Sequence, residues 1–168
     1  MADVRYLQQL DFPAYAVSLD WLQDDRNLLA EGFDLQSAVI VALGTDALAP
    51  VSEDLPDPDA TDRRGWWGDM DAEELWGAWP VGCLLWLMHR AKIVGSTSEQ
   101  GSTVSRADGW TRDAMRPFID NRIASRIDVL AERTALGRID VGVTIYRGPD
   151  PAIELRYSDL WDEMGRAV

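Results

Sequence analysis

Residues 126–157 read RIDVLAERTALGRIDVGVTIYRGPDPAIELRY, and their alternation decides the fold class. Ile127, Val129 and Ala131 alternate with polar neighbours; Ile139, Val141, Val143 and Ile145 alternate more strongly; Ile153, Leu155 and Tyr157 alternate again. A period of two sends successive side chains to opposite faces, so each run reads as a strand with one buried face. Turn signals at Leu136-Gly137 and Gly148-Pro149-Asp150-Pro151 separate the runs, and short connections of this kind join antiparallel neighbours. The stretch predicts a three-stranded antiparallel meander.

Upstream the period changes. Val104, Ala107, Thr111, Ala114, Phe118 and Ile119 recur near helical spacing, with Trp110 and Met115 widening the stripe. Ser102 or Thr103 is placed to cap that helix, and Pro117 is expected to kink or restart it. Helices gathered before a terminal antiparallel sheet imply an α+β fold, the long amphipathic helix lying on one sheet face. Nearer the N-terminus, Tyr15, Val17, Leu19 and Trp21 alternate as a strand that Asp24–Asn27 breaks. Asp34 can cap a helix starting at Leu35. The apolar run 38–43 fits a buried helix or a buried strand, and the cap together with Gly44 as a stop favours helix. Residues 49–62 carry Pro50, Pro56 and Pro58 among five acids, which reads as an acidic, proline-rich loop unable to pack a core. Leu84–Met88 suggests a buried helix ending at His89 and Arg90.

With 168 residues, 46% of them hydrophobic, the chain suits one domain over 1–168, large enough to bury roughly 70% of its unfolded surface without disulfides or metal. Neither a signal peptide nor a membrane span is legible, so a soluble protein of a reducing compartment is expected. The net charge of −13 lies entirely in residues 1–75, which hold 17 acids and four arginines; residues 76–168 hold 12 acids and 12 bases. Such a chain repels phosphate backbones and anionic membranes. The arginines at 106, 112, 116, 122, 126 and 133 stand singly, as on a solvated or ion-paired face.

Few residues invite chemistry. His89 is the sole histidine and so the sole candidate imidazole base, and it sits at a predicted helix end, where contact with carbonyls or solvent is the ordinary role. Cys83, the lone cysteine, heads an apolar run and reads as a buried, inert thiol. Asp57, Asp59 and Asp62 lack the glycine and closing glutamate of a calcium loop. Asp69, Asp71, Glu73 and Glu74 beside Trp66, Trp67 and Trp76 could be imagined as a glycosidase pair, which needs carboxyls about 5 to 9.5 Å apart. No cofactor motif is present; in particular, no phosphate-cradling glycine loop appears.

One order of motifs is specific. Thr45-Asp46, the acidic loop, Asp62-Arg63-Arg64-Gly65-Trp66-Trp67-Gly68-Asp69 and Gly82-Cys83-Leu84-Leu85-Trp86-Leu87-Met88 resemble the Mu-like phage baseplate wedge protein family. Arg90, Lys92, the helix Ala114–Ile123, the strand Ile139–Ile145 and the closing Tyr157–Trp161 continue the order, so the resemblance spans about residues 14–161. Through that family the chain is similar to the sheath initiators of contractile tails.

The resemblance implies an architectural subunit without cofactor or catalysis, present in several copies in a ring within the tail baseplate after assembly in the host cytoplasm. Its implied partners are the larger wedge proteins, the tail hub or tube and the tail sheath protein, with no nucleic acid or membrane among them. A sheet edge offered to sheath subunits would work by strand addition. The wider class carries Glu-Pro-Arg at the helix-to-strand junction; here the stretch reads Ala124-Ser125-Arg126, so Arg126 alone carries over, either as an anchor to a neighbour or as a surface partner of Asp128 or Glu132. Leu84 stands where the family leads one to expect a polar or basic residue. Trp66 and Trp67 are either a buried pair fixing their loop against the long helix or a direct partner contact. Arg63 and Arg64, flanked by Asp62 and Asp69, are expected to lock that turn through charge-assisted bonds. Val141 and Val143 enter the interface set through the strand they build. The rival reading is a cell-wall-degrading glycosidase of the tail using the acids near Trp66–Trp79; a third is a sugar-binding module using the tryptophans.

Overall fold

The computed structural model describes residues 6–11, 16–21, 34–135, 137–149 and 151–157, with 6–11, 16–21, 34, 76 and 151–157 described by backbone alone. Tyr15, the Asp24–Asn27 break, Leu136, Asp150 and Trp161 lie outside the described residues. The fold is α+β. Strands β1 (Tyr6–Asp11) and β2 (Ala16–Trp21) pair antiparallel. Helices α1 (Asp34–Gly44), α2 (Ala72–Trp76) and α3 (Thr103–Asp120) follow, then β3 (Arg126–Ala135), β4 (Arg138–Tyr146) and β5 (Pro151–Tyr157), in sheet order β3-β4-β5.

Helix α3 organises the core. Ser102 caps it: its Oγ accepts the Ser105 N–H at 3.1 Å and donates to the Ser96 carbonyl at 2.6 Å. Val104, Ala107, Thr111, Met115 and Phe118, spaced three or four apart, form one buried stripe. The Thr111 hydroxyl is satisfied inside that stripe by donating to the Ala107 carbonyl at 2.8 Å. Pro117 neither breaks nor restarts the helix, which runs on to Asp120. Its missing N–H forfeits one bond, while Met115 and Phe118 on either side remain anchored in the core. The helix ends three residues later in a Schellman turn: Arg122 adopts φ 59°, its N–H meets the Ile119 carbonyl, and the Ile123 N–H meets that of Phe118.

The stripe packs against Ile127, Val129 and Ala131 of β3 and Ile139, Val141, Val143 and Ile145 of β4, where alternation places one face inward. The register pairs Arg126 with Tyr146 and Val129 with Val143. At the first pair the Arg126 guanidinium lies 3.8 Å from the Tyr146 ring centroid, a cross-strand cation–π contact. Asp140, on the other face of β4, is buried and takes a 2.7 Å bond from Arg138 Nε. Helix α1 adds Leu35, Val39, Ile40, Ala42 and Leu43 to the same core.

Two expectations need correction. Leu84–Met88 forms only a single five-residue stretch of 3₁₀ helix, though it does bury Trp86, Leu87 and Met88 and end at His89. The acidic loop is also better packed than its composition suggests. Ala49 is buried and Leu55 packs with Trp86 and Leu87 in a second cluster.

Candidate protein interface

The segment between the acidic loop and α2 is built as a rigid hook. Arg63 turns back into the loop, its guanidinium donating to the carbonyls of Pro50 (2.5 Å) and Glu53 (3.2 Å), while its own carbonyl accepts from the Ala49 N–H at 3.0 Å. Arg64, at φ 54°, donates its N–H to Asp62 Oδ1 (2.8 Å) and Nη1 to Asp46 Oδ2 (2.6 Å), and its guanidinium lies 4.5 Å from the Trp86 ring centroid. Trp86 Nε1 in turn holds the Ala47 carbonyl at 2.9 Å. Asp69 Oδ1 accepts the Val81 N–H at 2.8 Å, tying the far end of the hook to the segment before Cys83.

Both arginines therefore lock the turn, but not as a simple pairing with the flanking acids. Asp62 serves a backbone N–H, Asp69 serves Val81, and the arginines use loop carbonyls and Asp46. Sequence distance hides these partners.

Held this way, the hook presents its tryptophans to solvent. Trp66 is 45% and Trp67 77% exposed, so a pair buried against α3 is not what forms. The two rings lean on each other at 5.6 Å, and Trp66 lies over Gly68 so closely that a Cβ there would sit 2.4 Å from the ring. Met70 (73%) and Leu48 (66%) extend the apolar surface. Behind it runs a groove of about 810 Å³, floored by Pro80, Val81, Cys83, Leu84 and Trp110 and walled by the α3 residues Asp113, Ala114 and Pro117. Leu84, where a polar residue was expected, contributes to that apolar floor.

The floor depends on one close approach. Cys83 bridges Asp46 in parallel register, with N–H to the Thr45 carbonyl at 2.9 Å. The adjoining Gly82 has φ 126°, and a Cβ on it would lie 2.7 Å from the Ala47 nitrogen, a position only glycine fits. The Cys83 thiol is buried, 3.5 Å from the Trp110 carbonyl, and burial pushes its pKa up to about 11. A protonated, enclosed thiol is a poor nucleophile.

The remaining candidates lie elsewhere. Arg126 is exposed at the start of β3 and pairs with Asp128 at 3.2 Å. Val141 and Val143 face the core from β4, which is paired on both sides, so their side chains build the ladder without reaching the surface. Asp71 adopts φ 56° before α2, where Glu73 and Glu74 are exposed. Among the described residues no group of three or more His, Cys, Asp or Glu is placed to hold a metal ion, and no helix is long and apolar enough to cross a membrane. Asp113 and the strip Pro80–Gly82 were missed as parts of a site. Asp113 belongs to the helical segment, Pro80 and Val81 to no recognised motif, and Gly82 to a motif read only for its resemblance, so only the fold brings them opposite the tryptophans.

An exposed aromatic hook over a preformed apolar groove is the kind of surface that protein contacts use. The chain belongs to the phage protein GP46 family, whose model matches residues 35–151. It is 35% identical over 118 residues to baseplate protein gp46 of Escherichia phage Mu, an alignment covering 70% of this chain and 72% of that protein. The Mu-like resemblance read from residues 62–69 and 82–88 is thereby borne out. No solved structure matches the chain.

Proposed function

We propose that this chain is a structural subunit of a phage tail baseplate, one domain over residues 1–168, which docks on larger wedge subunits around the tail hub or tube and starts the tail sheath. The observation that carries the reading is the 35% identity, over 70% of the chain, with a protein named as a baseplate component. The sheet gives the proposal a physical means. Its central strand β4 is paired on both sides, while β3 and β5 each have one described partner, which leaves outer strands suited to strand addition. Arg126, exposed at the β3 end, is assigned to a contact with a neighbouring subunit, and Trp66 and Trp67 to a second contact. Arg63 and Arg64 support that second contact by holding the hook. The subunit works in the virion, in several copies in a ring, after assembly in the host cytoplasm, and without cofactor or catalysis.

Electron microscopy of particles from a phage lacking this gene, with complementation in trans as control, tests the reading. Tails without sheath or baseplate are expected. Complete sheathed tails that fail to cross the cell wall would refute it and favour an enzyme built around Asp69–Glu74.

A further inference from the structure

The hook groove is chemically distinct from a sheet edge and selects its own kind of partner. We infer that it receives a segment of another polypeptide carrying a large aliphatic or aromatic side chain flanked by lysine or arginine, an assignment that rests on the chain's acting as an assembly subunit.

The apolar part of the claim comes from the walls. Leu48, Trp66, Trp67 and Met70 stand exposed around one hollow. Its volume of about 810 Å³ falls in the range of sites that enclose a ligand. The hydrogen bonds of Arg64 and Asp69 fix the rim before any partner arrives, so little ordering is needed on binding. Pro80–Gly82 and Ala114 also line a second, largely apolar hollow of about 290 Å³ beside α1 and α3, where Arg147 is the one ionic side chain among the described residues and donates to the Ile123 carbonyl; two adjoining hollows suit an extended segment better than a single side chain.

The basic part comes from charge. The ionic side chains lining the groove are Arg64, Asp69 and Asp113. Arg64 is neutralised by Asp46. Among the described residues no basic side chain forms an ion pair with Asp69 or Asp113, nor with Asp71, Glu73 or Glu74 just beyond the hook. A lysine or arginine beside the apolar anchor would meet those carboxylates across the interface. A second copy of this chain would instead bring its own acidic, tryptophan-bearing surface against the same acids, and nucleic acid would be repelled.

The test places the photo-crosslinking residue p-benzoylphenylalanine at Leu48 or Met70, both exposed enough to replace without disturbing the core. A third variant carries it at Leu130, exposed on β3, as control. Infected cells are irradiated, tails are purified, and crosslinked peptides are sequenced. Crosslinks from both groove positions to one segment of another protein are expected, with lysine or arginine within about four residues of an apolar anchor. Asp113→Lys should lower their yield at least ~10-fold while leaving the Leu130 crosslinks unchanged. Crosslinks to a second copy of the chain, or to an acidic segment, overturn the inference. So does the absence of groove crosslinks in cells that contain the variant. If the chain is missing from purified tails while the basic-segment crosslink forms in cells, the baseplate reading fails and the groove assignment stands.

Discussion

Replacing Cys83 by alanine should remove a defined piece of the protein's alkaline instability. The thiol is 2% exposed and its pKa is pushed up from 9.0 to about 11, chiefly because burial disfavours the thiolate, against which the nearby Leu84 and Leu85 backbone donors work only in part. In the unfolded chain the thiol ionises near its ordinary value; in the folded chain it stays protonated for about two further pH units. The folded state therefore holds the extra proton between those values. The contribution is fully present below about pH 9 and is lost as pH rises through about 11. Two units correspond to about 3 kcal/mol over the whole interval. Urea unfolding of the parent and of Cys83→Ala across about pH 8 to 11 measures it. The alanine opens a small cavity and lowers stability by a constant amount, and the difference between the two curves cancels the lysine and tyrosine titrations both share. The gap between them should narrow as pH rises. Parallel curves would mean that Cys83 meets solvent in the folded state and that the groove floor it anchors beside Asp46 is open.

Other substitutions probe the frame around the groove. Arg122→Gly should raise stability by about 0.5–1 kcal/mol, because glycine relieves the roughly 1–2 kcal/mol of left-handed strain at φ 59° and returns part of it through the freer unfolded chain; a lower urea midpoint would refute the Schellman assignment. Ser102→Ala should cost about 1–2 kcal/mol by freeing the Ser105 N–H and the Ser96 carbonyl, read as a melting temperature lower by about 2–8 °C. Val143→Pro removes an N–H from the central strand of the sheet and should yield neither folded protein nor sheathed tails. A folded variant supporting normal tails would contradict the register that pairs Val143 with Val129.

How much of this was legible depended on whether the physics was local. The alternation at 127–131 and 139–145 gave β3 and β4 because a sheet with one buried face imprints its period directly, and the α3 stripe did the same at helical spacing. Leu84–Met88 misled because hydrophobicity reports burial without reporting hydrogen-bond period; the Cys83 bridge to Asp46 and the turn at His89 leave room for only five residues. Trp66 and Trp67 read naturally as core, yet the positive φ of Arg64 and Gly65 turns the chain outward. The partners that make this stable, Asp46 for Arg64 and Val81 for Asp69, lie 18 and 12 residues away. Adjacent acids were the visible candidates, and the bonds went to groups that only the fold brings near.

Helix α3 serves two surfaces at once, which makes their roles separable. Met115 faces the sheet from within the core, while Asp113 and Ala114, two residues and one residue earlier, face the groove. Met115→Ala deletes a side chain that is 1% exposed and should cost about 2–5 kcal/mol, with the cavity it leaves adding to the lost transfer energy. That loss would weaken the proposed sheet contact and the proposed groove contact together, since both rest on the same helix. Asp113→Lys changes an exposed side chain with no ion pair among the described residues, and should leave the urea midpoint nearly unmoved while groove contact fails. Tails from the Asp113→Lys phage would then show whether seating the subunit needs the groove or whether the sheet alone suffices. If both variants lowered stability equally, Asp113 would be part of the frame, and the negative wall of the groove would be a structural feature with no partner to select.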